Sequence, residues 1–305
     1  MRRMMKTQVL AYAAMTAAMT TVGSTIVASK IMAAMPIFVA MLVRFAVASM
    51  LLAVLLKLLR KPWPQLTPRS WRLLLTQALI GSVGYSALLL LGLELTSASD
   101  ASVVAGTLPA MAALLAAVVL HERFTATRWV AVALATAAMG FLNTGGNGGG
   151  SVGPQQLLGN ALVLGAVACE AVFLLLNKRL KDPLDPLWTA ALMSVFSLVL
   201  CLPAAAVQEI VGPPAALTAP AVLAAVYYGV VPTTLGFWLW YAGASKVSGA
   251  QAGLFTTLLP VSGLALSALA LGESIEPRHW LGAGLAALAI LVGLSPRRQA
   301  AEATR

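Results

Sequence analysis

The sequence predicts an all-α integral membrane protein of ten transmembrane helices, arranged as two inverted five-helix repeats around a central cavity. Three observations predict it. The 305-residue chain is 60% hydrophobic and only 10% charged. Its apolar runs are long and are separated by short basic clusters. A set of residues recurs at a fixed offset of 151 positions. A soluble domain carries roughly 25% charged residues, so a mean hydropathy of +0.88 excludes an ordinary globular enzyme. The net charge of +10 would gather on one polar face in a nucleic-acid binder. Here Lys and Arg lie between apolar runs, as membrane topology requires.

A membrane helix needs ~20 mostly apolar residues. Ten stretches qualify, at 8–28, 36–56, 73–93, 100–120, 125–142, 157–176, 187–207, 221–243, 250–271 and 279–295. The start, Met-Arg-Arg-Met-Met-Lys, has the flavour of a signal peptide, but 8–28 is a full span followed by others and reads as a retained first helix. Connections are short, and lipid satisfies no free backbone groups, so helices are the spanning form. The first repeat covers 8–142 and the second 155–295, with a linker at 143–154 and a tail at 296–305. The linker contains Gly-Gly-Asn-Gly-Gly-Gly-Ser, a flexible composition. No Gly-Lys-Ser/Thr follows it, so it is not a phosphate loop.

Orientation follows from the positive charges. With the N-terminus inside, inner segments hold Arg2, Arg3, Lys6, Lys57, Arg60, Lys61, Arg69, Arg72, Arg123, Arg128, Lys178, Arg179, Lys181, Lys246, Arg297, Arg298 and Arg305. Outer segments hold Lys30 and Arg278. This imbalance places both termini in the cytoplasm of a multi-pass protein of the cell (inner) membrane.

The repeat is visible in Leu108-Pro109, Glu122 and Trp129 against Leu259-Pro260, Glu273 and Trp280. Gly92/Gly243, Ser97/Ser248, Leu115/Leu266 and Leu120/Leu271 keep the same offset. Pro, Glu and Trp matching without a gap signals duplication. Five helices per copy is an odd number, so the second copy enters the membrane upside down. Inverted repeats are typical of secondary transporters, whose substrate site lies near the midplane between the halves.

Several of these residues carry a family resemblance. Val22-Gly23-Ser24, Ala28-Ser29-Lys30, Arg44-Phe45, Pro109, His121-Glu122-Arg123-Phe124, Pro260 and Gly272-Glu273 together resemble the drug/metabolite transporter superfamily, EamA family. The resemblance covers nearly all of 8–295. It implies ten helices, a central cavity, and export or exchange of metabolites, amino acids or toxic compounds. Val22 departs from the family's common tryptophan before the first-span glycine.

A charge inside a span costs ~2.5–3.5 kcal/mol and by default marks function. Glu170, well inside the sixth span, is the clearest case. It can load a proton or attract a substrate ammonium; it can also partner a group on another helix. Arg44 stays charged at any realistic pH. It either meets a substrate carboxylate or serves as a structural ion pair or snorkelling cation. Lys30 ends the first span and is expected to reach the outer interface.

Polar stripes propose a cavity lining. Thr16, Thr20 and Ser24 share a face of the first span at i+4 spacing. Tyr227, Thr234, Trp238 and Tyr241 share one in the eighth, and Glu170, Phe173 and Asn177 one in the sixth. Tyr85 has Gln77 and Gly81 on its face of the third. Aromatic walls with a few polar groups suit an apolar body with a charged head. The bland readings are hydroxyls bonded to their own helix and aromatic interface anchors. Pro109 and Pro260 occupy equivalent points, where a helix kink would serve gating or static curvature. Glu122 and Glu273 are expected to accept bonds from backbone donors starting the next helix.

The expected function is a secondary carrier, an exporter or exchanger of small amphipathic or zwitterionic metabolites such as amino acids, working by alternating access. Its partners are a small-molecule solute and the lipid bilayer, with protons as an optional coupling ion, and no nucleic acid. The alternatives are a facilitative carrier or efflux pump for toxic or drug-like compounds, and a non-transporting scaffold. Cys169 and Cys201 both lie in apolar runs, as small buried hydrophobes. His121 and His279 read as falling near span ends on opposite faces, and no carboxylate cluster or nucleophile–base pair stands out. The sequence therefore predicts no metal site, no cofactor and no enzyme activity.

Overall fold

The computed structural model describes residues 2–120, 126–142, 153–177, 179–180, 184–211, 217–244, 246 and 255–293. Every regular element among them is helical. In chain order these are α1 (Arg2–Met32), α2 (Ile37–Leu58), α3 (Pro68–Gln77), α4 (Tyr85–Leu95), α5 (Ala98–Ala105), α6 (Leu108–Leu120) and α7 (Ala126–Leu142). The second half supplies α8 (Pro154–Asn177), α9 (Pro186–Val211), α10 (Ala219–Tyr228), α11 (Phe237–Ala244), α12 (Leu258–Leu271) and α13 (Pro277–Gly293). Six described helical segments are long and apolar enough to cross a membrane. The pair α5 and α6 forms a further one bent by 42°. Three shorter apolar helices run Trp129–Leu142, Leu258–Leu271 and Pro277–Val292.

Local sequence sets the ends. Thr67 caps α3 by accepting from the Ser70 N–H, with Pro68 at the first helical position. Ser97 caps α5 through the Asp100 N–H at 2.9 Å. Gly272 ends α12 in the left-handed region at φ 67°, where a side chain would be strained.

The predicted fourth span is not continuous. It breaks at Gly106 and Thr107, and Pro109 is the second residue of the helix that follows. Pro260 is likewise the third residue of α12, just after a turn at Thr256 and Thr257. In a first helical turn the missing proline N–H removes no helical bond. Both prolines therefore begin helices after a break rather than kinking an intact one. Most of the Gly-rich linker, and the His121-Glu122-Arg123-Phe124 motif, lie outside the described residues.

The third and eighth spans share a feature that hydropathy does not show. Each passes through a π-helical stretch, Ala78–Gly84 between α3 and α4 and Gly229–Gly236 between α10 and α11. Their first residues are again 151 positions apart. Pro232 lies inside the second stretch and has no N–H to donate. Thr234 Oγ1 donates to the Gly229 carbonyl at 2.9 Å, five residues back.

Contacts between the halves are reciprocal. α1 of the first half lies on α10, the second π stretch, α11 and α12; α8 of the second half lies on α3, the first π stretch, α4, α5 and α6. α2 meets α9, and α7 meets α13. Lipid offers no hydrophobic drive for helix pairing, so close backbone approach through small residues matters. Gly92 and Gly243 provide it at matched points. A Cβ on Gly92 would stand 2.9 Å from the Gly159 carbonyl in α8, and one on Gly243 would stand 2.8 Å from the Ala11 carbonyl in α1. The buried core is mainly Ala, Leu, Val and Met, with Phe45, Leu52, Leu93 and Leu264 among its large members.

Candidate functional site

Six spans converge on one polar cluster. Arg44 is the eighth residue of α2, about 10 Å from that helix's start at 1.5 Å per residue. Its guanidinium lies 3.6 Å from the centroid of the Tyr228 ring and 4.8 Å from that of Phe45. Its Nη1 donates to Ser86 Oγ at 2.9 Å. No carboxylate stands within ion-pair distance among the described residues, and the buried Nε has no hydrogen-bond partner. Arg44 is thus neither a structural ion pair nor a snorkelling cation. A desolvated cation–π contact is worth ~2 kcal/mol, which offsets most of the ~2.5–3.5 kcal/mol cost of a charge inside a span. Its Nε–H donor is left without a partner in the structure.

Tyr85 stands beside this cation. It shares a side-chain hydrogen bond with Thr25 of α1 and lies within electrostatic reach of Arg44, Tyr228 and Glu170. The buried Cys201 of α9 also faces Arg44. Glu170, in α8, makes no hydrogen bond or ion pair to another described residue. The cluster therefore holds a cation and an acid that form no ion pair with each other, with Tyr85 within electrostatic reach of both.

The predicted stripes fare unevenly. Ser24 is buried and accepts from the Tyr227 hydroxyl at 2.8 Å. Thr20 is exposed and donates to the Thr16 carbonyl at 2.9 Å, the bland reading. The eighth-span stripe is not one face, because the π stretch between Tyr227 and Trp238 changes the helical phase. Thr234 is buried within that stretch, while Trp238 is exposed at the far end of the span. Tyr241 lies in α11, and its side chain is outside the described residues. The third-span stripe is broken by the other π stretch. Gln77 donates to the Phe173 carbonyl at 3.3 Å, and Gly81 lies against the Phe173 side chain, so both touch α8 directly. Asn177 is half-buried at the end of α8.

A second polar group ties elements of both halves at the Lys30 end. Lys30 Nζ donates to the Leu93 and Thr96 carbonyls, the latter at 2.7 Å. A cation on the last carbonyls of α4 is favourable. Glu273 accepts from the Ala98 and Ser99 N–H groups at 2.9 and 2.8 Å and from Ser99 Oγ at 2.6 Å. The carboxylate does cap backbone donors at a helix start, but the helix is α5 in the other half, not the next one in sequence; Gly272 turns the chain away before α13 begins. Asp100 is fully buried and meets His279 Nε2 at 2.9 Å and Gln156 Nε2 at 2.6 Å. Arg278 donates to Glu276 at 2.9 Å and to the Leu142 carbonyl at 2.7 Å. A cleft of about 410 Å³ lies here, lined by Lys30, Glu94, Thr96, Gln156 and Glu273.

The opposite end, where α2 stops, is held more lightly. Lys61 pairs with Asp185 at 2.6 Å, each about a third exposed. Trp188 Nε1 donates to the Pro62 carbonyl at 2.8 Å. A mostly apolar cleft of about 300 Å³ opens between α2, α9 and α11, with Trp238, Phe237 and the Lys61–Asp185 pair on its wall.

Sequence reasoning missed Tyr228, Thr25 and Ser86, each next to a residue it did select. It passed over Asp100 and set His279 aside; both stand near span ends, 179 positions apart, and only the fold joins them.

Comparison with known proteins places the geometry. Residues 9–144 and 157–294 each match the EamA-like transporter family. The chain is 32% identical to the uncharacterized transporter YetK of Bacillus subtilis over 97% of its own length and 90% of the relative's. It is 25% identical to an uncharacterized transporter of Archaeoglobus fulgidus over 86% of this chain and 90% of that one. A protein of solved crystal structure shares the fold at a TM-score of 0.62 and 18% identity, across 94% of this chain and 96% of the other.

Proposed function

The chain belongs to the EamA-like transporter family, and on that premise we propose that it is a secondary carrier exporting small zwitterionic or amphipathic metabolites, amino acids among them, by alternating access. The observation that carries the reading is Arg44: a half-buried cation held by tyrosine and serine, with its buried Nε donor unused and no carboxylate partner among the described residues. A substrate carboxylate completes that donor set, since guanidinium binds carboxylate in a planar, two-pronged way. Glu170 supplies the opposite charge for a substrate ammonium, or the site of a coupling proton.

The six long helices, the bent pair and the three shorter apolar helices provide segments for ten crossings. Five per repeat inverts the second half, which supports a cleft able to face either side in turn. Both termini then lie in the cytoplasm of an inner-membrane protein, as the charge distribution favours. The Lys30 end is external in that orientation, and the polar contacts there hold the outer side shut. The Lys61 end faces the cytoplasm.

The test is counterflow into proteoliposomes with a panel of labelled amino acids and of cationic drug-like dyes, with and without a pH gradient. We expect acid-bearing solutes to exchange and Arg44→Gln to lose them. Dyes exchanging while amino acids do not would favour an efflux pump. Inactivity across the whole panel would favour a scaffold.

A further inference from the structure

We propose that Asp100 and His279 form a proton-binding latch on the outer gate, whose protonation competes with closure; this rests on the alternating-access reading above. The two residues come from different halves, α5 and α13. Asp100 is 0% exposed and His279 3%. In the closed arrangement both groups are held by hydrogen bonds. One Asp100 oxygen takes His279 Nε2 at 2.9 Å and the other takes Gln156 Nε2 at 2.6 Å, while Thr96 Oγ1, 3.3 Å from that second oxygen, has its shorter bond to Asn160 Oδ1 at 2.6 Å. His279 Nδ1 accepts the Glu276 N–H at 2.9 Å. A ring nitrogen that accepts carries no proton, so this network assigns a neutral imidazole with its proton on Nε2.

An added proton therefore has no place on the imidazole. On Nδ1 it would face the Glu276 N–H. A buried donor left facing a donor costs ~1–3 kcal/mol.

Opening frees both groups to water, among charges that invite a proton. From α4 comes Glu94, from the α12–α13 turn Glu273 and Glu276, against Lys30 of α1 and Arg278 of α13, the latter 4.0 Å from Asp100. α8 contributes only the neutral Gln156, and α7 presents no described charged side chain to the pair. Acid outside thus favours the open gate, while neutral pH lets the latch close.

The experiment places a reporter thiol, Thr25→Cys, beneath the latch in full-length protein whose Cys169 and Cys201 are alanine. A membrane-impermeant maleimide is applied from outside at about pH 7.5 and about pH 5, either side of the ordinary histidine range. Rates are normalised to the exposed Ala34→Cys, which removes the intrinsic pH dependence of the thiol. We expect normalised labelling to rise about tenfold at the lower pH, the response of a two-state gate to one proton-linked bias. D100N should label fast at both pH values, and H279Q should lose the pH response. Labelling from outside that is equal at both pH values and unchanged by D100N overturns the latch and leaves the carrier reading intact. A thiol reached from the cytoplasmic side alone, or from neither side, at every pH and in both variants overturns the carrier reading and the latch with it.

Discussion

The two halves share a frame but not its charges. Gly92 and Gly243 approach α8 and α1 at matched points, and the π stretches start 151 residues apart. Their glycine partners fix a second register. Gly92 meets Gly159 and Val163, Gly243 meets Ala11 and Met15, and each partner pair is 148 residues apart. On that register Glu170 of α8 stands where α1 has Val22. Arg44 of α2 has Val195 151 positions on, in α9. Duplication therefore supplies the shared scaffold, and each half adds one charge that the other lacks: a cation from the first, an acid from the second.

The largest test of that asymmetry is Arg44→Gln. It removes charged hydrogen bonds worth ~1.5–3 kcal/mol, so affinity for an acid-bearing solute in counterflow should fall between about tenfold and a hundredfold. Val195→Ala, in the corresponding position of the other half, should leave transport alone and change stability by less than about 0.5 kcal/mol. Equal losses from both would break the comparison.

Next in size are the glycines. Gly92→Ala and Gly243→Ala each drive a methyl into a facing backbone carbonyl, an overpacking of ~1–3 kcal/mol. Thermal unfolding in detergent should show similar drops for both, since the frame is shared. A large effect in one alone would mean that only one half depends on its crossing.

The smallest effect separates the two ends of the molecule. Lys61→Gln breaks an ion pair about a third exposed on each side, worth ~0–1 kcal/mol. The unfolding temperature should barely move, and the Lys61 end should open more readily in a thiol-labelling assay.

Much of this was legible in the sequence. Apolar runs gave the elements, because a span must be continuous in apolar residues. Pro, Glu and Trp exposed the duplication, because three different residue types match at one offset without a gap. Arg44 and Glu170 stood out because a charge inside an apolar span is costly. What escaped is what breaks the assumed period. A uniform 3.6-residue helix put Tyr227 and Trp238 on one face, and the π stretch separates them; Tyr228, one residue on, is what meets Arg44. The prolines read as kinks because a span was taken as unbroken. Asp100 and His279 were unreadable as a pair, since neither carries a local signature and the register between halves is set by glycine contacts.

The eighth-span π stretch leaves Gly229 flush against α2, where a Cβ would meet the Arg44 carbonyl at 2.7 Å. One residue earlier, Tyr228 covers the guanidinium of the same arginine. Arg44 is therefore gripped by its main chain and its head from a single turn of the opposite repeat. The position of the cation is thereby tied to the eighth span, and a rewinding of that widened turn would reposition it directly.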